Sequence, residues 1–426
     1  MLKIQKIFTL PAFLLVLSGL AIMAGCNTNN STGQVIAQNA IKHVFVITLE
    51  NKNFSTSFGS STQDSYLQGT LVPSGALLTQ YYGTGHVSLD NYVAMISGQP
   101  SSLATQMDCP VYQDFNLVST DANGIATGTG CVYPASVKTL PDLLTAANLQ
   151  WKGYMEDMGN DPARESATCG HPTLNSQDLT QSPEAPTASV VNGDQYATRH
   201  NPFAYFHSII DSPICKTNVV PLTQLSKDLA LSTTTPNFVF ITPNLCHDGH
   251  DGAGTGATGS GCVNGEPGGL ASADAFLKTW IPQIMASPAY QQDGLIIINF
   301  DESAAPAASV TMIGGVPTIS VAFAGASCCA QQTGPNVTRP FITSYPASAA
   351  TGGLPVQLSY TGIGGDQTGA VLISQFIKPG TVSNTPYNHY SLLKSLQDIY
   401  HVGPYLGYAG QTGLVGFGAD IYIKSN

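Results

Sequence analysis

Charge is scarce in this chain. Of 426 residues only 10% are charged, and the 15 Lys and Arg face 26 Asp and Glu, for a formal net charge of −11. That balance excludes a basic nucleic-acid surface and a polybasic patch for anionic lipid. An anionic substrate would need a local positive charge, and a metal ion is one way to supply it. There is no CxxC spacing, so a thiolate metal site of that kind is absent. No P-loop glycine signature, internal repeat or heptad pattern occurs, which removes the P-loop NTPases, solenoids and coiled coils. Beyond the first 25 residues no segment is apolar for long enough to span a bilayer.

Those first residues do carry a pattern. Lys3 and Lys6 form a positive start, Phe8 to Met23 an apolar run, and Ala24-Gly25 precede Cys26. The arrangement resembles the lipobox of a bacterial lipoprotein, with Met23 in place of the usual Leu. The alternatives are an ordinary signal peptide or a single anchor helix. The expectation is a signal peptide over residues 1–25, a polar tether over 26–40 attached to the membrane through lipidated Cys26, and one domain over 41–426. Eight further cysteines in an exported chain point to disulfides. Sequence neighbours are the natural pairs: Cys109 with Cys131, Cys169 with Cys215, Cys246 with Cys262. Adjacent Cys328 and Cys329 either bridge each other or take other partners.

Three apolar runs read as strands of a parallel sheet buried on both faces: His43 to Leu49, Asn237 to Thr242 and Gly294 to Phe300. Each stops at polar residues: Glu50-Asn51, then Asn244 to Asp251 with His247, Asp248 and His250, then Asp301-Glu302. The ligand crevice of an open α/β sheet lies at the carboxyl ends of its strands, so these side chains stand where chemistry is done. Turn residues after core strands are the plainer alternative. Thr318 to Ala324 reads as a fourth strand, and Leu222 to Leu231, Ala271 to Ser287 and a segment opening at Asn388-His389 read as helices. Ser88 precedes an apolar run, which suits either an N-cap or a nucleophile at a helix N-terminus. Arg199 and His200 are ligand contacts or a surface pair.

Phosphoryl transfer is the chemistry that needs these groups together. Glu50, Asn51, Asp301 and Glu302 suit a divalent metal that activates Ser88. His247, Asp248, His250 and Asp251 with His389 suit a second metal or a proton donor for the leaving oxygen.

Six segments in order, ITLENKNF, SLDNYVAMISGQ, RHNPFAYF, FITPNLCHDGHD, INFDES and NHYSLLKSLQDIY, resemble the motifs of the bacterial phosphoesterase family of acid phosphatases and phospholipases C. The resemblance implies an alkaline-phosphatase-like α/β/α sandwich around a mostly parallel sheet, with loop-rich, disulfide-clipped insertions. It also implies an exported, metal-dependent hydrolase acting on a phosphate-ester small molecule or a phospholipid head group, with neither metal identity nor number given. By motif, Glu50, Asn51, Ser88, Asp301, Glu302 and Asp248 correspond to metal ligands. Ser88, His250 and His200 correspond to catalytic residues, and Asn91, His389 and His247 to substrate contacts. Lys52, Asn53 and Ser55 depart from the ENRSFDHYFG-like entry of the phospholipases, which moves the reading toward the phosphatase branch. Asn244 and Asp248 replace an Asp-x-x-x-His pair, which fits a single metal. The alternatives are a phospholipase C and a surface lipoprotein that binds without catalysis.

Overall fold

The structure, a computed structural model, describes residues 38–59, 65–250, 262–348 and 351–422. The expected signal peptide, Cys26 and most of the tether lie outside the described residues, as does Asp251.

An eight-stranded sheet organises the chain. Its strands are β1 (His43–Leu49), β2 (Ala76–Leu78), β3 (Trp151–Met155), β4 (Val219–Pro221), β5 (Phe238–Thr242), β6 (Gly294–Phe300), β7 (Ala370–Ile373) and β8 (Thr381–Ser383), in the spatial order β8-β2-β7-β6-β1-β5-β3-β4. Only β7 runs against the rest, so the sheet is mostly parallel. The three strands read from apolar runs are the three central ones. They need cover on both faces and find it. Val44, Val46, Phe240 and Ile297 join one core with helices α1 (Ser88–Ser97) and α4 (His389–Tyr400). Phe45, Ile47, Ile241 and Ile298 join a second core with helix α3 (Gly269–Ala286). The result is a three-layer α/β/α sandwich. Each fully buried Val, Ile, Leu or Phe contributes roughly 1.5–3 kcal/mol of transfer free energy, so the central strands carry much of the hydrophobic stabilisation.

Local signals set the helix ends. Helix α2 (Leu140–Ala146) opens with a reciprocal capping box between Thr139 and Asp142, and the Asn388 side chain accepts from the Ser391 N–H to start α4. The helix expected over Leu222 to Leu231 is shorter, a 3₁₀ turn (Leu222–Gln224) followed by Leu225–Asp228. Thr234 and Thr235 hydroxyls take the Asp228 carbonyl and end it there. The expected fourth strand (Val316–Phe323) lies outside the central sheet, in a separate four-stranded sheet with Ser309–Ile313, Val356–Tyr360 and Phe341–Tyr345. Four disulfides join the neighbouring cysteines, Cys328 and Cys329 bonding each other. They fit an oxidising compartment. No helix among the described residues is long and apolar enough to cross a membrane.

Candidate active site

Register places the first pair of functional residues. β1 and β6 run in parallel with Leu49 opposite Phe300, so the residues that follow, Glu50 and Asp301, leave the sheet side by side. The Asn51 N–H, in a left-handed turn (φ 44°), donates to Asp301 Oδ1 at 3.1 Å and fixes the two strand ends together. One amide atom of the Asn51 side chain lies 3.0 Å from Asp301 Oδ1 and 3.1 Å from Glu50 Oε2. The other lies 3.1 Å from His250 Nε2. If the first of these is nitrogen it donates to both carboxylates. If it is oxygen, three oxygens converge, an arrangement held by a cation or by a proton on one of the carboxyls.

Ser88 completes this group from the opposite side. It is the first residue of α1 rather than its cap, and its Oγ donates to Glu50 Oε2 at 2.8 Å. Val87 at the cap position has φ 81°, costly for a β-branched residue by about 1–3 kcal/mol, and its N–H donates to Glu302 Oε1 at 3.0 Å. The loop ahead of it is tight: a Cβ on Gly85 would meet Asp90 Oδ2 at 2.2 Å. One helical turn after Ser88, Tyr92 donates from its hydroxyl to Glu50 Oε1 at 2.5 Å and stacks on His200, ring centroids 5.2 Å apart. His200 Nε2 is 3.4 Å from Glu50 Oε1 and its Nδ1 3.9 Å from Asp248 Oδ2, yet neither ring nitrogen has a hydrogen-bond partner. The Asp248 carbonyl accepts from the Glu50 N–H at 2.7 Å, and its Oδ1 from the His250 N–H at 2.8 Å. The Lys52 ammonium donates to the His250 carbonyl at 2.7 Å.

Electrostatics single out the same point. Glu50 and Asp301 are fully buried. Burial pushes the Glu50 carboxyl up to about 7, against the hydrogen bonds from Tyr92 and Ser88 and the charge of Arg199. Burial, then the charges of Glu50 and Glu302, hold Asp301 well above the carboxylate range. Burial keeps His200 well below its usual value, helped by Arg199 and His250, so its ring is neutral. Buried carboxylates side by side beside a neutral imidazole without partners are what a hard or borderline divalent cation would satisfy. The residues present therefore fit a metal ion.

Other expected contacts lie elsewhere. Asn91 was expected on the substrate, but its Oδ1 accepts from the Thr84 and Gly85 N–H groups and its amide donates to the Gly85 carbonyl. It ties down the loop before Ser88. His389 was expected there too, yet it is buried between the Tyr81 hydroxyl (2.9 Å) and the Asp301 carbonyl (2.6 Å), where it braces a strand end. Burial lowers it to about 4. His247 bridges Glu156 (2.9 Å) and Glu266 (2.7 Å), and the charges of those partners outweigh burial and raise it to about 9, a fixed ion cluster rather than a substrate group. Neighbouring Cys246 is in a disulfide and has no thiolate to offer a metal. The Glu302 side chain is taken up by His86 and the Val87 N–H. Asn244 folds its own loop, accepting from the N–H groups of Cys246 and His247. Arg199 is no surface residue; its Nε is 3.5 Å from Asp108 Oδ2 and its Nη1 bonds the Gln181 carbonyl.

Sequence reasoning missed Tyr92, although its position four residues after Ser88 on one helix face was a usable signal. It also missed Asp366, which takes the second ring nitrogen of His86 at 2.9 Å and for which no local signal exists.

Residues 61–403 match the model of the Phosphoesterase family. The chain belongs to that family. The matched span of this phosphoesterase holds Ser88, His200, Asp248, His250 and Asp301, while Glu50 and Asn51 precede it and join them through the contacts above. A probable acid phosphatase of Kluyveromyces lactis is 22% identical over 62% of the chain and 48% of its own length. A phosphate-repressible acid phosphatase of Penicillium chrysogenum is 25% identical over 60% of the chain and 47% of its own length. The chain thus spans about half the length of these curated relatives. A solved protein of the alkaline phosphatase superfamily from Vibrio parahaemolyticus aligns with 12% identity and a TM-score of 0.42, covering 86% of this chain and 67% of that one, a likeness too weak to carry an argument.

Proposed function

We propose that this phosphoesterase hydrolyses phosphate esters, with Ser88 as nucleophile beside a divalent cation held by Glu50, Asn51 and Asp301. The observation that carries the reading is the Ser88 hydroxyl held at 2.8 Å on a buried carboxylate that itself lies against Asn51 and near Asp301. Glu50 aims Oγ and Tyr92 locks the other oxygen of Glu50, so the nucleophile has one orientation. The first turn of α1 adds the positive end of its dipole where a phosphate would arrive. When bound, the cation supplies positive charge that favours the Ser88 alkoxide and offsets phosphate charge. Oγ passes its proton to Glu50 Oε2 and attacks phosphorus, the ester oxygen leaves with a second proton from an acid, and water later releases phosphate from Ser88. His250, in contact with Asn51, is the group assigned to that proton, and neutral His200 supports Glu50 or adds a ligand.

Metal-supplemented assays with p-nitrophenyl phosphate, its bis-ester and phosphatidylcholine test the reading. The monoester is expected to turn over, chelation to stop it, and Ser88→Ala to abolish it with melting unchanged. A rate indifferent to chelator removes the cation, and near-normal activity of Ser88→Ala removes the nucleophile. The same proposal places the chain outside the cytoplasm, supported by the disulfides, and tethers it through Cys26, supported by the leader pattern. Incorporation of labelled fatty acid that survives Cys26→Ala would refute the tether.

A further inference from the structure

From residue 303 to 365 the chain has one charged side chain, Arg339. This stretch forms the separate four-stranded sheet, and its two faces differ. Cross-strand pairing sets Val310 against Ile319, and Ile319 against Val356, on one face; Val321 pairs Leu358 there. Phe323 pairs Tyr360, with Phe341 beyond, so the apolar row ends in three aromatic rings. The opposite face is mostly hydroxyl-bearing, with Thr311 and Ser320 bonded to each other at 2.7 Å.

The apolar face is uncovered to a graded extent. Phe323 and Tyr360 are buried, Val321, Leu358 and Ile319 are half-buried, and Val310 and Met312 are 63% and 66% exposed. None of these residues belongs to the core clusters among the described residues. Its buried end packs on the loop that carries Ser88. The Phe323 ring lies 4.7 Å from that of His86, two residues before Ser88, and 4.8 Å from Tyr360. A row of apolar side chains therefore runs outward from the Ser88 loop. From Phe323 to Ile319 it covers about 13 Å at the usual rise of a strand.

We propose that this face seats a single hydrocarbon chain of the substrate, so that the enzyme prefers phosphate monoesters with long alkyl leaving groups over small polar ones. The inference rests on the phosphoesterase reading above. Its occupant follows from continuity with the Ser88 loop and from the lack of charge along Ile319, Val321 and Leu358, since a phosphate at Ser88 leaves the rest of an amphiphile lying over this face. The one cation of the stretch, Arg339, lies over the Tyr360 ring at the inner end. A hydrocarbon chain needs no hydrogen bonds, and the face offers few.

The test is the kcat/KM of the full chain for n-alkyl phosphates from ethyl to decyl, each below its aggregation concentration, beside p-nitrophenyl phosphate. A methylene covered on one side keeps about half its burial gain, so kcat/KM is expected to rise roughly twofold per carbon, mainly through KM. Val321→Asn, and Leu358→Asn as a second variant, should flatten that slope while thermal unfolding confirms the fold. A flat series in the wild type with p-nitrophenyl phosphate still hydrolysed would overturn the inference and leave the hydrolase reading standing. So would a dimer that Val321→Asn dissolves without any chain-length effect, or activity that depends only on vesicles. Turnover of no ester at all would sink both.

Discussion

Glu50→Gln in metal-free protein separates a cation site from an ordinary buried network. The Glu50 carboxyl rises from 4.5 to about 7 on folding because burial disfavours its charge. The native state then binds more protons than the unfolded chain between those values, so stability falls as pH rises through that window. The penalty is absent below pH 4.5 and complete above about pH 7. A shift of that size corresponds to ~3 kcal/mol, and the group is fully buried, so solvent screening removes little of it. Asp301 shifts in the same direction, and other buried carboxyls do too, which makes the wild-type profile alone uninformative. Glutamine keeps an oxygen for one of the hydroxyls of Tyr92 and Ser88, turns an amide N–H to the oxygen of the other, and removes the charge. In urea unfolding with chelator, Glu50→Gln should match wild type near pH 5 and exceed it by up to ~3 kcal/mol at pH 8. A saturating divalent ion should then stabilise the wild type, by ~2.7 kcal/mol at one hundred times its dissociation constant, and leave the variant unmoved. A variant equally destabilised at both pH values would show that the ionised Glu50 is satisfied without a cation, and the reasoning would fail.

Three further outcomes follow from individual contacts. Tyr92→Phe removes a hydrogen bond to a buried carboxylate, worth ~1.5–3 kcal/mol, and should lower kcat by ten-fold or more with little change in KM; unchanged kcat would show that Tyr92 does not hold Glu50 in place. Asn91→Ala leaves the N–H groups of Thr84 and Gly85 without their acceptor and should cost ~2–4 kcal/mol in unfolding experiments. A variant of normal stability that binds phosphate poorly would return Asn91 to the substrate. His247→Gln breaks a surface-proximal ion cluster, so kcat/KM should stay within about threefold of wild type, the size of effect expected from a partly exposed ion pair.

Legibility differed between elements. The three central strands were readable because both faces are buried, which leaves an uninterrupted apolar run with a sharp polar end. The neighbouring cysteine pairs were readable because short loops close readily. The strand Val316–Phe323 looked like the others along the chain, but only Thr318 and Phe323 of it are buried and it pairs in the separate, largely exposed sheet. Asn91 and His389 show the limit for polar residues. Each sits in a motif segment near Ser88 or Asp301, and each spends its side chain on backbone groups that no local pattern reveals.

By itself the sequence determined which residues end buried strands, which helices have caps and which cysteines are close, because all of these depend on periodicity and local bonding. Only the tertiary structure decided which polar side chains meet. The parallel register of β1 and β6 puts Glu50 beside Asp301, 250 residues after Asn51 in chain separation. The packing of α1 then brings Ser88 and Tyr92 onto Glu50, and the loop before it pairs His86 with Glu302. Convergence of that kind is a property of sheet order and helix placement, which side-chain chemistry along the chain does not encode locally.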